Sequence, residues 1–298
     1  MIVGSEDLRQ VLTGTALEGK PVWDVPMCDG EPPALELRGI AVDEAKASLE
    51  IGRRFVNETG RWPVLSADFM GPTEQQWRFP GEFTSYVKEG EEVTPAAITA
   101  RALALDLDKA LAERSNRHRA DLNDLAAWTA RDPARRLAAD QLRSAAGAGE
   151  VTTFGDGERW LLDWEVTHTR PTNDEIQQIR QGSLDYWHRE LSFRLLLLPT
   201  AEPWRTTSYL DLFGSGGEFA TALLKRWYER WGAVAVTHHG TMMNFEVVDP
   251  PTGIADAVEL AWEHYQLASD TIRKPQLKLS SYAQALIGHP RWSLMQLP

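Results

Sequence analysis

One apolar run constrains the fold of this 298-residue chain more than any other stretch. Residues 193–200 have the sequence FRLLLLPT, with four consecutive leucines. Such a strand buries both of its faces, because neighbouring strand residues point to opposite sides of the sheet. We therefore expect a central strand here, with other parts of the protein packed against each face of its sheet.

The residues after this strand predict an ordered series of elements. Residues 217–232 (GEFATALLKRWYERWG) carry apolar side chains every four positions, which indicates a helix that ends at Gly232. A hairpin, a helix after two prolines, a shorter helix and a terminal strand over 291–297 follow. The order βαββαβ predicts a ferredoxin-like domain over residues 191–298. Helices would cover only one face of its sheet, so we expect the N-terminal region, or a second protomer of a homodimer, to cover the other.

The predicted hairpin has the sequence VTHHGTMMNFEVV over residues 236–248. A two-residue turn at His239 and Gly240 pairs Val236 with Met243, and this register places apolar side chains opposite one another on one face. The alternation therefore predicts a hairpin between the second and third strands of the domain.

The two adjacent histidines of this hairpin, His238 and His239, are candidate binding residues. They point to opposite faces of a strand, so they cannot bind one metal ion together, and no metal site is predicted. We expect His238 at the edge of the core, and His239 on the less apolar face as a contact for a partner.

The first two thirds of the chain predict an N-terminal α/β region and a helical insert. Residues 1–94 contain a short helix followed by a strand-helix-strand region, and residues 95–150 form a helical segment with Thr94 as its N-cap. Residues 151–190 contain a strand over 160–169 and a connecting helix. With the C-terminal domain, the chain is expected to be an α+β protein.

Composition narrows the classes of partner. The formal net charge of −12 disfavours nucleic acid and anionic membranes, and it suits a basic protein surface better. Cys28 is the single cysteine, which excludes an intrachain disulfide and favours an incidental thiol over a nucleophile. The N-terminus lacks the pattern of a signal peptide, and no apolar run is long enough to span a membrane. We therefore expect a cytoplasmic protein.

Catalytic and cofactor motifs are missing from the sequence. The glycines over residues 214–217 precede a helix but lack the Lys-Ser/Thr of a phosphate-binding loop, and neither a nucleophile elbow nor a zinc-binding HExxH motif occurs. We predict no cofactor. Two tryptophans in predicted loops, Trp77 and Trp204, are the candidates for an exposed contact with a partner.

Five stretches of the chain carry a family resemblance. They are LLLLPT, ALLKRWYERWGAVAV, FEVVDPPT, AVELAWEHYQLASDTI and the upstream RWPVLSADF. These stretches resemble the uncharacterised bacterial family DUF4253, mostly over residues 193–298. The resemblance implies the C-terminal fold and no particular reaction. Glu263, Tyr265 and Asp270 match positions that resemble the family pattern, whereas Ala268 stands where family members carry a cysteine.

Two hypotheses about function follow. The favoured one is a noncatalytic interaction factor, immunity-like or conflict-associated (toxin or phage related), that binds a protein through an acidic, tryptophan-bearing surface. The alternative is an enzyme or small-ligand-binding protein with a cleft between two domains. That cleft would use His238 or His239 together with Glu263 and Asp270.

Overall fold

The structure is a computed structural model, and it describes residues 4–27, 31–67, 94–115, 121–184, 192–212 and 216–297. The chain divides into two compact units, each assembled from separate stretches. The sheet unit consists of Met1–Leu105, Leu184–Asp249 and Pro290–Pro298. The helical unit consists of Asp106–Ser183 and Pro250–His289. The protein therefore contains a mixed α and β architecture, as expected.

The strands and helices of the described residues are numbered in chain order. The strands are β1 (Val22–Val25), β2 (Ala34–Ala41), β3 (Trp62–Ala67), β4 (Ser192–Leu198), β5 (Val234–His238), β6 (Met242–Glu246) and β7 (Arg291–Met295). The helices are α1 (Ser5–Val11), α2 (Ala45–Arg54), α3 (Val56–Thr59), α4 (Pro95–Ala104), α5 (Leu107–Ser115), α6 (Leu122–Thr129), α7 (Arg136–Gly147), α8 (Phe154–His168), α9 (Asn173–Ile179), α10 (Thr206–Tyr209), α11 (Gly217–Trp231), α12 (Ile254–Leu267), α13 (Asp270–Arg273) and α14 (Leu279–Leu286).

The described strands form one sheet in the order β1-β2-β4-β3-β5-β6-β7. Neighbouring strands are antiparallel except β3 and β5, which are parallel. The leucine-rich strand β4 is central, as predicted, because it pairs with β2 on one side and with β3 on the other.

Both faces of β4 are covered by residues of the sheet unit. Leu195 and Leu197 belong to a core cluster that includes Leu8 of α1 and Leu49 of α2. Leu196 and Leu198 belong to a second cluster, which includes Tyr209 and Leu210. The helices of the N-terminal region therefore cover one face of the apolar strand, and the segment with Tyr209 and Leu210 contributes to the cover of the other.

The ferredoxin-like arrangement is not confirmed. The predicted element order is present, since β4, α11, β5, β6, the helices α12 to α14 and β7 follow one another. However, β4 pairs with β2 and β3 of the N-terminal region instead of with later strands, and α12 to α14 belong to the helical unit. The order of elements along a chain does not decide which strands become neighbours, and the N-terminal strands compete for the same edges.

The hairpin lies where it was predicted, but its register differs. His238 pairs with Met243, and Val234 pairs with Glu246. The pairing already differs next to the turn, where Met243 faces His238 instead of Val236, and a register shift between Ala235 and Thr237 then moves it by one residue. The alternation rule assumes a regular ladder, and this irregularity breaks it.

The N-terminal elements agree with the sequence prediction apart from one addition. The strand-helix-strand region is present as β2, α2, α3 and β3, and Gly60 ends α3 with a left-handed backbone at φ 68°. The short edge strand β1 was not predicted, because it lies in a stretch rich in turn-forming residues. Thr94 caps α4, and its side chain accepts a hydrogen bond from the Ala97 N–H.

The strand predicted over residues 160–169 is wrong, since residues 160–168 lie in helix α8, which ends at His168. Thr153 and Asp156 form a capping box in which each side chain accepts a hydrogen bond from the backbone N–H of the other residue. Such a cap starts a helix, and the local signal outweighs the aromatic and β-branched residues that suggested a strand.

The helical unit is held by its own core and by buried polar pairs. Leu125, Leu142 and Phe154 belong to its apolar cluster. The carboxylate of Glu165, which is buried, forms an ion pair with Arg135 and accepts a hydrogen bond from Ser280 at 2.8 Å. None of the helices in the described part of the chain combines the length and apolar character needed to cross a lipid bilayer.

Replacing Gly52 with alanine tests the close contact between α2 and β3. A Cβ atom at Gly52 would lie 2.7 Å from the Cβ of Pro63, whose ring is rigid. We expect Gly52→Ala to lower the free energy of unfolding by about 1 to 3 kcal/mol, as overpacking does in other cores. Urea denaturation followed by circular dichroism measures the change. Gly147→Ala is the matched control, since a Cβ there meets no atom within 4 Å. Equal stability of the two variants would contradict the packing described.

Candidate functional site

A cavity of about 140 Å³ lies within the helical unit. It is small beside the ~300–1,000 Å³ of pockets for drug-sized ligands. A cavity of roughly 150 Å³ accommodates a molecule the size of benzene. The residues that line it are Arg114, Ser115, Glu158, Tyr265, Gln266, Ser269 and Arg273.

Three stretches of the chain bring these residues together. The end of α5 supplies Arg114 and Ser115, the first half of α8 supplies Glu158, and the remaining residues belong to α12, α13 and the link between them. Helices α5 and α8 approach closely at Gly155, where an added Cβ atom would lie 2.6 Å from the Ser115 backbone oxygen. Glycine at this position therefore allows the two helices to place their polar side chains at the cavity.

A chain of hydrogen bonds forms one wall of the cavity. The hydroxyl of Tyr265 donates to Oε1 of Glu158 at 2.7 Å. The same hydroxyl accepts two hydrogen bonds from Arg273, from Nε at 3.1 Å and from Nη2 at 2.6 Å. Arg273 Nη2 also lies 3.9 Å from Glu158 Oε1. The phenol thus connects a carboxylate to a guanidinium.

The environment keeps the Tyr265 hydroxyl protonated. Burial raises the pKa of Tyr265 well above its usual value, and the negative charge of Glu158 acts in the same direction. Arg273 opposes this shift but does not cancel it. At neutral pH the phenol is therefore a hydrogen-bond donor to Glu158.

Arg273 carries its positive charge throughout the physiological range. Burial by itself lowers the pKa of Arg273, but nearby acidic groups outweigh burial and raise the pKa above its ordinary value. These groups are the hydroxyl of Tyr265, which accepts hydrogen bonds from Arg273, and the carboxylates of Glu158 and Asp270. Its guanidinium also lies 5.2 Å from the centre of the Tyr265 ring, a favourable cation–π distance.

Arg114 is the second cation of the cavity. Its Nε donates to the backbone oxygen of Gln266 at 3.2 Å, which links the end of α5 to α12. A guanidinium carries five N–H donors in a planar fork, and this geometry matches the two oxygens of a carboxylate. Two guanidinium groups therefore line one small cavity.

The candidate residues that came from the family resemblance lie at different places relative to the cavity. Tyr265 lines the cavity, and Asp270 lies close enough to Arg273 for its charge to influence that guanidinium. Glu263 is buried on α12 and is not among the residues that line the cavity.

The candidates for an exposed contact are buried wherever the structure describes them. Trp204 is 8% exposed and lies in a 3-10 turn, and His239 is 1% exposed, while His238, which was expected at the edge of the core, is fully buried. Burial of His239 corrects the expectation that it faces a partner, because its ring lies beside Phe193 of β4 and accepts a hydrogen bond from the Ala67 N–H of β3. Trp77 lies outside the described residues.

The contacts of the two histidines are with the backbone. His238 Nε2 lies 2.7 Å from the backbone oxygen of Asp211, and because a carbonyl only accepts, this nitrogen donates. His239 Nδ1 accepts a hydrogen bond from the Ala67 N–H at 3.0 Å. Both rings thus tie β5 and its turn to neighbouring segments. Within the described ranges, no group of three or more His, Cys, Asp or Glu residues is placed to hold a metal ion.

The sequence prediction missed most of the cavity. Arg114, Glu158 and Arg273 are ordinary charged helix residues in the sequence, and they are separated by many positions. Gly155 was the available signal, because it lies between Thr153 and Asp156, which cap the start of α8, and a glycine inside a helix suggests close packing.

A comparison with protein families finds a match for the C-terminal third of the chain. Residues 194–295 match the family model described as Domain of unknown function (DUF4253), which confirms the predicted resemblance. The chain is thus an α and β protein with a seven-stranded sheet among its described residues and a DUF4253 match over its last third. No curated protein and no solved structure matches it. The matched range contributes β4 to β7 and the helices that carry Tyr265 and Arg273.

A buried hydrogen bond anchors the helix that carries Tyr265. The preceding residue, His264, has Nδ1 2.9 Å from the hydroxyl of Tyr282 on α14, and both side chains are fully buried. Burial lowers the pKa of His264 from 6.5 to about 3. The imidazole is therefore neutral when the protein is folded at neutral pH.

Replacing Tyr265 with phenylalanine removes the hydroxyl between Glu158 and Arg273. The loss leaves the partly buried carboxylate of Glu158 and the more exposed guanidinium of Arg273 without their shared partner, so we expect the free energy of unfolding to fall by about 1 kcal/mol. Urea denaturation at pH 7 measures the effect. Tyr228→Phe is the control, because Tyr228 is 40% exposed on α11. A Tyr265→Phe variant as stable as this control would show that the hydrogen-bond chain does not hold the cavity wall.

Stability should depend on pH through His264. As pH falls below 6.5 the unfolded chain takes up a proton that folded His264, with a pKa of about 3, does not. We expect wild type to lose about 1 kcal/mol per pH unit between about pH 6 and 5 through this group, and His264→Gln to lack this contribution. Urea denaturation across this range compares the slopes. Tyr282→Phe, which keeps the imidazole, should retain the slope, and identical slopes in wild type and His264→Gln would refute the assignment.

Proposed function

We propose that the helical unit binds a small carboxylate-bearing molecule in its polar cavity. The observation that carries this proposal is the pair of guanidinium groups, Arg114 and Arg273, that line the cavity. Arginine binds carboxylates through paired N–H groups, which gives both attraction and orientation.

The size of the cavity limits the ligand. A volume of about 140 Å³ suits a molecule of a few heavy atoms. A nucleotide or a coenzyme needs a much larger site, since pockets for drug-sized ligands span about 300–1,000 Å³. The ligand class is therefore that of small organic acids and their derivatives.

The remaining lining groups supply hydrogen bonds. Ser115, Ser269 and Gln266 are the uncharged polar residues other than Tyr265 that line the cavity. Tyr265 stays protonated and braces Arg273, so the guanidinium is held in one orientation before a ligand arrives. A cation held in place loses less entropy on binding than a freely moving one.

Binding is a better account of the cavity than catalysis. The described lining residues include neither histidine nor cysteine, and the Ser115 hydroxyl donates to the backbone oxygen of Ala112 at 2.8 Å. A serine nucleophile needs a neighbouring base that removes its proton. We therefore propose a ligand-binding role, which corresponds to part of the alternative hypothesis from the sequence.

A noncatalytic, immunity-like role with a protein partner stays a prediction, as do a homodimer and a cytoplasmic location. The described residues proposed to touch such a partner, Trp204 and His239, are buried. An interaction surface would therefore have to use other residues of the chain.

Replacing either cavity arginine with glutamine tests the proposal. We expect purified wild type to bind at least one of acetate, L-lactate and L-alanine in isothermal titration calorimetry. Arg114→Gln and Arg273→Gln should each weaken that binding at least tenfold, because a charge-assisted bidentate contact of more than about 1.4 kcal/mol is lost.

Arg159→Gln is the matched control for these variants. Arg159 belongs to the same unit and pairs with Glu259 and Asp163, but it does not line the cavity. This control should bind as wild type does. Absence of binding by all three ligands, or equal binding by the cavity variants and wild type, would overturn the proposal.

A further inference from the structure

We infer that the ligand of this cavity is a small zwitterion, with an ammonium group on the carbon next to its carboxylate, as in glycine, alanine or serine. The inference rests on the proposed function, and it adds the second charge of the ligand. Its basis is the carboxylate of Glu158, which lines the same cavity as the two arginines.

The positive and negative charges in the cavity and directly beside it are equal in number. Arg114 and Arg273 contribute two positive charges, and Glu158 contributes a negative one. Asp270 adds a second negative charge that acts on Arg273. A ligand with no net charge but separated poles fits such a site, whereas a dianion would meet uncompensated repulsion from the carboxylates.

The spacing of the opposite charges in the wall suits an α-amino acid. Glu158 Oε1 and Arg273 Nη2 lie 3.9 Å apart. In an α-amino acid the nitrogen and the carboxylate carbon are separated by about 2.5 Å, as standard bond lengths and angles require. A ligand of this kind therefore reaches the carboxylate of Glu158 and a guanidinium at the same time.

Glu158 is positioned to accept more than one hydrogen bond. An ionised carboxylate accepts several hydrogen bonds at once, since its two oxygens have about four lone-pair sites, and Oε1 of Glu158 accepts one of them from Tyr265. Its side chain is 17% exposed, so an ammonium group bound there is largely removed from water. A charge-assisted bond in such a setting is about twice as strong as a neutral one.

The cavity volume restricts the side chain of the ligand. About 140 Å³ must hold the ammonium group, the carboxylate and the carbon that joins them. Only a short side chain fits within the remaining space of the cavity itself. The inferred class is thus a small neutral amino acid or a close analogue.

A series of three ligands of nearly equal shape tests the inference. L-Alanine, L-lactate and isobutyrate differ only in bearing an ammonium, a hydroxyl or a methyl group beside the carboxylate. Titration calorimetry with wild type should give the affinity order alanine, then lactate, then isobutyrate. We expect alanine to bind at least tenfold more tightly than isobutyrate.

The variant Glu158→Gln isolates the role of the negative charge. Its amide oxygen still accepts the hydrogen bond from Tyr265, so the wall of the cavity is preserved while the charge is removed. In this variant we expect the ratio of the affinities for alanine and isobutyrate to fall at least tenfold. Isobutyrate should still bind. Glu259→Gln is the matched control, because Glu259 pairs with Arg159 and does not line the cavity. Thermal melting curves of both variants establish that they are folded.

The outcomes separate this inference from the proposed function. One outcome is that the three ligands bind wild type equally well, bind Arg114→Gln more weakly, and show the same relative affinities for Glu158→Gln as for wild type. In that case the inference is wrong, while the proposed carboxylate site stands. If none of the three binds wild type, both are wrong. Alanine preference that depends on Glu158 and not on Glu259 supports the inference.

Discussion

The structure depends on burying both faces of strand β4. Its leucines belong to two different core clusters, one formed with helices of the N-terminal region and one formed with Tyr209 and Leu210. Its two edges pair with β2 and β3, which also come from the N-terminal region. Burial of both faces of β4 removes a large apolar area from water. Removal of apolar area from water is the main source of stability in a protein interior.

The third of the chain that matches the family shares its sheet with strands that precede it. Residues 194–295 include β4, but both strands that pair with β4 precede the matched range. The parallel pairing of β3 with β5 also joins the matched range to the N-terminal region. The matched residues therefore complete their sheet only with the upstream strands, and they do not form a separate ferredoxin-like sheet in the structure.

Buried polar pairs connect helices of the helical unit in addition to its apolar core. Glu165 of α8 contacts Arg135 and Ser280, and His264 of α12 contacts Tyr282 of α14. Each buried polar group must find a partner, because an unpaired one loses its bonds to water without replacement. Such pairs set how the helices lie against one another, and the cavity is lined by the helices positioned in this way.

The sequence by itself determined most of the local structure. The central strand, helix α11 with its left-handed Gly232, the strand-helix-strand region and the cap at Thr94 follow from periodicity and from short-range chemistry. The errors came from competing local signals, as in α8, where a capping box outweighed strand-forming residues. Tertiary structure alone decided the strand order, the register shift in β5 and the cavity of Arg114, Glu158 and Arg273. These features depend on contacts between residues far apart in the chain, and a pattern of neighbouring residues carries no information about which distant segments meet.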